Sequence, residues 1–180
     1  MDTNEILKQI LSNTFTKADC YRRLLCLQDF FDQTGYGGES PKTALTDTLL
    51  AAGGAGGPEH SERASFASSD DAAAVAAWGE AALAELQKER ETVADIKRRI
   101  ETLPEMVLYV PCALGTAGVA RVGAWCRANV HPEVLLVLHV DSVYAGGCAV
   151  VWKDLFYDFS LPYFFTKHDQ QLKSLLSDLR

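Results

Sequence analysis

The chain has 180 residues, 48% of them hydrophobic and 23% charged, with a formal net charge of −7. That is the balance of a globular protein with one ordinary domain or two small ones, and its acidic excess argues against wrapping nucleic acid, which needs Lys and Arg to displace counterions from phosphates. No run approaches the roughly 18 apolar residues of a membrane span, and the start, MDTNEILKQ, is polar where a signal peptide has a basic start and an apolar core, so a cytoplasmic protein is expected.

Residues 1–103 read as a helical region. Ile6, Leu7, Ile10 and Leu11 recur on one helical face. Thr16 is a candidate N-cap with Asp19 three positions on, and Cys20, Leu24, Leu27 and Phe31 form the apolar stripe of a second helix that Gly35, Gly37 and Gly38 end. Residues 42–52 suit a third helix. The stretch 53–71 is a Gly/Ser-rich break. It lacks the G-K-[ST] ending of a phosphate loop and no strand precedes it, so it reads as a linker or loop. Ser69 or Asp70 then caps a long helix at 72–103, rich in Ala, Glu, Lys and Leu. Its stripe is Val75, Trp78, Ala82, Leu86 (or Glu85), Val93, Ile96 and Ile100, and Pro104 stops it. Unbroken, it would run about 45 Å. Lys97, Arg98 and Arg99, following Glu89, Glu91 and Asp95, read as a charge-laced helix face.

Residues 104–180 read as a small α/β domain with a C-terminal helix. A β-forming run at 106–111 is followed by a helical stretch at 114–127, whose apolar residues include Val119, Val122, Ala124 and Trp125. The continuous apolar run 134–140 has the mark of a strand buried on both faces or central in a sheet. Strand, helix and strand suggest a β-α-β unit. Segments 146–152 and 155–159, joined by Lys153-Asp154, then read as a β-hairpin. Gly146 and Gly147 lead into a strand rather than a helix. That excludes a phosphate cradle and points to a bulge or a close backbone approach. Ser160 is placed to cap a final helix, with Pro162 in its first turn and Leu161, Phe164, Leu172, Leu175, Leu176 and Leu179 on its apolar face. The expected class is α+β: a helical N-terminal half, then a small mixed β-sheet and a C-terminal helix.

Val140-Asp141, then Gly146-Gly147, then Asp158-x-Ser160 resemble the C-terminal signature of the delta subunit family of F-type ATP synthase. Its mitochondrial counterpart is the oligomycin-sensitivity-conferring protein. That signature runs approximately V-D-P-S-L-I-G-G, a hairpin, then D-G-S-V. Four residues separate Asp141 from Gly146 and ten separate Gly147 from Asp158, as in the family. Ser142 stands for the usual proline, Ala145 for isoleucine and Phe159 for glycine, and the likeness covers residues 90–165. The resemblance implies a non-catalytic peripheral-stalk (stator) subunit, with no cofactor and no metal. It would join the alpha-type head subunits to the b-type stalk subunits and meet the membrane only through the complex. Asp141, Gly146, Gly147, Asp158 and Ser160 would be structural motif residues. Apolar anchors on helices would bind partners, and Trp78, Tyr163, Phe164 and Phe165 are the candidates, the last three packing on the sheet in the alternative reading.

Two other readings stand beside this one. A stand-alone interaction module would keep the C-terminal fold without the ATP synthase. A cysteine-dependent enzyme would use Cys148 with His139 and Asp141, neighbours across a sheet. The five cysteines, Cys20, Cys26, Cys112, Cys126 and Cys148, contain no C-x-x-C pair and sit in apolar surroundings, which suits buried reduced thiols. The four histidines lack metal-ligand spacing.

Overall fold

The computed structural model of the protein describes residues 2–34, 69–88 and 90–177. It divides into two compact units, Met1–Leu103 and Pro104–Arg180. The first is helical and the second is built on a small mixed sheet, an α+β architecture. Gly35, Gly37, Gly38, the helix considered at 42–52 and most of the Gly/Ser-rich stretch lie outside the described residues.

In the first unit, α1 spans Thr3–Asn13 and α2 spans Lys17–Thr34. The stripes expected on both are buried: Ile6, Leu7, Ile10 and Leu11, then Cys20, Leu24, Leu27 and Phe31. Thr16 caps α2, its Oγ1 accepting from the Asp19 N–H at 3.0 Å. Asp19 does not return the bond of a capping box. Its carboxylate takes an Arg22 guanidinium N–H at 2.6 Å instead.

The long helix expected at 72–103 is interrupted after Ala76: the described residues form α3 (Ser69–Ala76), α4 (Glu80–Lys88) and α5 (Arg90–Glu101), and Glu89 lies outside them. The interruption has a clear cause. The Gly79 N–H leaves the helical ladder and donates to Gln9 Oε1 of α1 at 2.7 Å. A Cβ at residue 79 would stand 2.5 Å from that oxygen, so the bond needs glycine there. The chain bends, and the stripe survives the bend: Val75, Trp78, Ala82, Leu86, Val93, Ile96 and Ile100 are all buried. α2 packs on α3 and α5, while α1 packs on α4 and α5.

A polar lock ties α3 to α2. The Asp71 carboxylate, on α3, is buried. It accepts from the Nε and Nη2 of Arg22 and from the Nε of Arg23. Arg23 is itself buried and also donates to the Asn13 carbonyl at 2.9 Å. Asn13 closes the network by donating to the Ala74 carbonyl at 2.7 Å and accepting from Trp78 Nε1 at 3.0 Å.

The second unit is a four-stranded sheet in the order β2-β1-β3-β4, with β1 Glu105–Val110, β2 Leu135–Val140, β3 Ala149–Trp152 and β4 Leu155–Asp158. β1 runs parallel to β2 and antiparallel to β3, and β3 is antiparallel to β4. Helix α6, Thr116–Asn129, connects the parallel pair. Cys126 and Val122 of that helix pack on Met106, Leu108, Leu136, Leu138, Val150 and Trp152. The apolar run 134–140 is therefore an edge strand, not a central one. Val134, Leu135 and Leu136 are buried, but His139 and Val140 are exposed. A run of apolar residues reports burial of its first half and cannot say which strand lies beside it. On α6, Ala124 and Trp125 face away from the core, which takes Gly123 and Cys126 instead.

Asp71→Ala should leave the buried Arg23 guanidinium uncompensated and cost about 3 kcal/mol. A urea melt checks this. An unchanged midpoint would mean that α3 is held by its apolar contacts alone.

Candidate docking surface

Two of the three pieces of the C-terminal motif, Gly146-Gly147 and Asp158-x-Ser160, meet at one junction. Asp141 precedes a 3-10 turn, Ser142–Tyr144, and its Oδ1 accepts from the Val143 N–H at 3.0 Å. Gly147 follows with φ +78°. A Cβ on it would lie 2.3 Å from the Phe159 carbonyl oxygen and 3.1 Å from Ser160 Cα. This is the close backbone approach for which glycine is needed. Two backbone bonds seal the contact: the Phe159 N–H to the Cys148 carbonyl at 2.9 Å, and the Leu161 N–H to the Gly146 carbonyl at 3.0 Å. On the other side, Asp158 Oδ1 accepts from the Ser160 N–H at 2.8 Å, and Ser160 Oγ caps the next helix by accepting from the Tyr163 N–H at 3.3 Å. Asp158 and Ser160 are thus turn and cap residues.

The hairpin turn is Lys153-Asp154, both in the left-handed region at φ 51° and 63°. That is the two-residue turn whose twist matches the strands, although neither residue is the Asn or Gly that favours it.

After the junction come two helices rather than one: α7, Leu161–Lys167, and α8, Asp169–Ser177. His168 leaves helical geometry at φ −111°, ψ 17°. Its ring nitrogen bonds Gln171 at 3.0 Å and its ring lies 4.7 Å from that of Phe164. The single apolar face expected from Leu161 to Leu179 is therefore interrupted. Leu161 and Phe164 are exposed, and the side chains of Leu172, Leu175, Leu176 and Leu179 lie outside the described residues.

The junction aims a run of apolar side chains at solvent. Tyr163, Phe164 and Phe165 are 47%, 50% and 52% exposed, and Phe164 makes ring contacts with Phe165 and His168 while Lys167 lies over Tyr163. Leu155, Phe156 and Tyr157 on the edge strand β4, with Phe159 and Leu161, are also exposed. Leu155 and Tyr157 lie on one face of the sheet and Phe156 on the other, and exposed aromatics of this kind are candidate anchors for a partner. Trp78, the fourth expected anchor, is not among them. It is 1% exposed, and its indole N–H is spent on Asn13. The stripe that singled it out is the stripe that buries it. No local signal separates the exposed run 155–157 from the buried one at 134–136: both are continuously apolar, a pattern that by itself reads as burial on both faces.

The thiol reading loses its geometry. Strand β1 stands between His139 and the hairpin: His139 pairs with Tyr109, and Tyr109 with Ala149. His139 and Cys148 thus lie on either side of a strand, about 10 Å apart at the usual spacing. Burial, and then Asp158, push the Cys148 thiol up from its ordinary range, which disfavours the thiolate that a nucleophile needs. Burial also raises the Cys126 thiol, whose Sγ lies 3.7 Å from Met106 Sδ. Not every cysteine is buried, as composition suggested: Cys20 and Cys126 are, Cys26 and Cys148 are half-buried, and Cys112 is exposed in the loop before α6. Among the described residues, no group of three or more His, Cys, Asp or Glu is placed to hold a metal. No described helix is long and apolar enough to cross a membrane.

Gly147→Val should destabilise the protein by at least about 2 kcal/mol, because it adds positive-φ strain to a backbone clash. An unchanged melting curve would show that the junction relaxes freely. With a thiol reagent on the native chain, followed by peptide mass mapping, Cys112 should label first and Cys148 much later. Fast labelling of Cys148 would reopen the nucleophile reading. Compared with known proteins, the chain matches no protein-family model and no curated sequence.

Proposed function

We propose that this chain is a delta-like peripheral-stalk subunit of an F-type ATP synthase, a non-catalytic link between the head and the stalk. The observation that carries the reading is the junction. Gly146, Gly147, Asp158 and Ser160, four of the five residues that carry the resemblance, are held there by backbone approach and capping bonds, and Asp141 caps the turn that leads into it. The order of strand, helix, strand and hairpin around them agrees as well.

A stator must hold the head against the torque of the rotor, so its subunits need rigid contacts and no chemistry. The hairpin base is tied to α7 by hydrogen bonds at both of its sides. The surface it presents, from β4 through α7, offers aromatic anchors to an apolar face of a stalk helix. Association with the membrane would come through the complex, and the helical first unit would meet an alpha-type head subunit.

The test is a pull-down of the tagged chain from native membranes, with bound proteins identified by mass. ATP synthase head and stalk subunits should be recovered. The triple variant Tyr163→Ser, Phe164→Ser, Phe165→Ser should keep the melting temperature, since these side chains are exposed, and lose the stalk subunits. A bait that brings down neither class of subunit would overturn the assignment.

A further inference from the structure

The face of the sheet turned away from α6 carries rings and carboxylates that the junction and the apolar surface do not use. His139 of β2, Tyr109 of β1, Ala149 of β3 and Asp158 of β4 stand in one register row. Residues in such a row share a face. The Tyr109 and His139 rings lie 5.3 Å apart and within 21° of parallel, and the Tyr144 ring, tilted by 40°, lies 5.9 Å from that of Tyr109. His139 is exposed, and Tyr109 and Tyr144 are half-buried, so part of the cluster is in reach of a ligand from solvent.

Two carboxylates border the rings. Asp141 and Asp158 are both half-buried. Each spends Oδ1 on a backbone N–H two residues on, Val143 and Ser160 respectively, which leaves the second oxygen. Their nearness to Tyr144 is felt at its hydroxyl: burial, then Asp141, then Asp158, push that phenol up. Among the described residues, none forms an ion pair with either carboxylate. An ionised acid in this arrangement has acceptor capacity left for a guanidinium N–H.

We propose that Tyr109, His139, Tyr144, Asp141 and Asp158 form a receptor for an arginine side chain of a partner protein. A guanidinium is planar. It stacks on aromatic faces and forks its N–H groups to carboxylates. An ammonium lacks the plane and is more strongly hydrated, an anion is repelled, and a neutral chain leaves both acids unpaired. Asp158 leads directly through Phe159 to α7, so the matching segment carries an arginine beside an apolar face. The inference requires a protein partner and does not depend on its being part of an ATP synthase.

The full-length chain, isotope-labelled, is titrated by NMR with acetylated and amidated tetra-arginine, tetra-lysine and tetra-glutamine peptides. Tetra-arginine should shift the signals of Tyr109, His139, Tyr144 and Asp158. Tetra-lysine should bind several-fold more weakly and tetra-glutamine not at all. Tyr144→Leu and Asp141→Asn should each weaken arginine binding by about tenfold. The second variant keeps the capping oxygen at Val143, so the turn persists. Shifts scattered over all acidic surface, equal binding of arginine and lysine peptides, or undiminished affinity in both variants would overturn the proposal.

Discussion

At Gly147 two segments of backbone come closer than any side chain would allow. The Phe159 carbonyl oxygen occupies the place where a Cβ would be, 2.3 Å away. That contact closes the open end of the β3–β4 hairpin against the start of α7. Everything C-terminal to it takes its direction from there: Ser160 can cap only because Asp158 has already turned the chain, and α7 begins where the cap puts it. Rotating or widening this junction would move all three aromatic side chains at once. Such a site is built by backbone geometry, with the rings as its payload.

The helical unit is held differently. Its apolar stripes are each worth roughly 2 kcal/mol per fully buried residue, yet such contacts do not choose one arrangement of α3 on α2. Asp71 does. A buried carboxylate that receives N–H groups from two successive arginines has few alternative positions, and a network that is only partly satisfied would cost more than none. Asn13 extends the same network to Trp78, so the ring is fixed by its N–H as well as by its packing. At the next turn Gln9 takes the Gly79 N–H and bends the chain. Polar groups set the path of these helices, and apolar groups supply the cohesion.

The unequal distribution of apolar surface in the second unit follows from its topology. One helix, α6, covers one face of a sheet whose edges are β2 and β4. β4 has an unpaired side and exposes Leu155, Phe156 and Tyr157. Isolated proteins usually blunt such an edge with charge, proline or a covering element. Here the charge stands only at the two ends of the strand, in the Lys153-Asp154 turn and at Asp158. A partner that covers the strand and α7 together would resolve the hazard.

Local pattern alone determined the α+β class, the apolar stripes of α1 and α2, the hairpin with its two-residue turn, the demand for glycine at 147 and the cap at Ser160. Each rests on short-range rules: side-chain period, positive φ, one hydroxyl and one N–H three residues apart. Only the tertiary structure decided what those rules leave open. Trp78 has the sequence look of an anchor and is buried by Asn13, sixty-five positions away. The helix at 72–103 has strong propensity throughout and is bent by Gln9, seventy positions away. The run at 134–140 looks central and lies at an edge, because strand order is set by which strand inserts beside it. His139 and Cys148 look like neighbours and are parted by β1 for the same reason. Periodicity says which residues want to leave water. Which element receives them, and which are left exposed for a partner, is fixed by contacts between residues far apart in the chain.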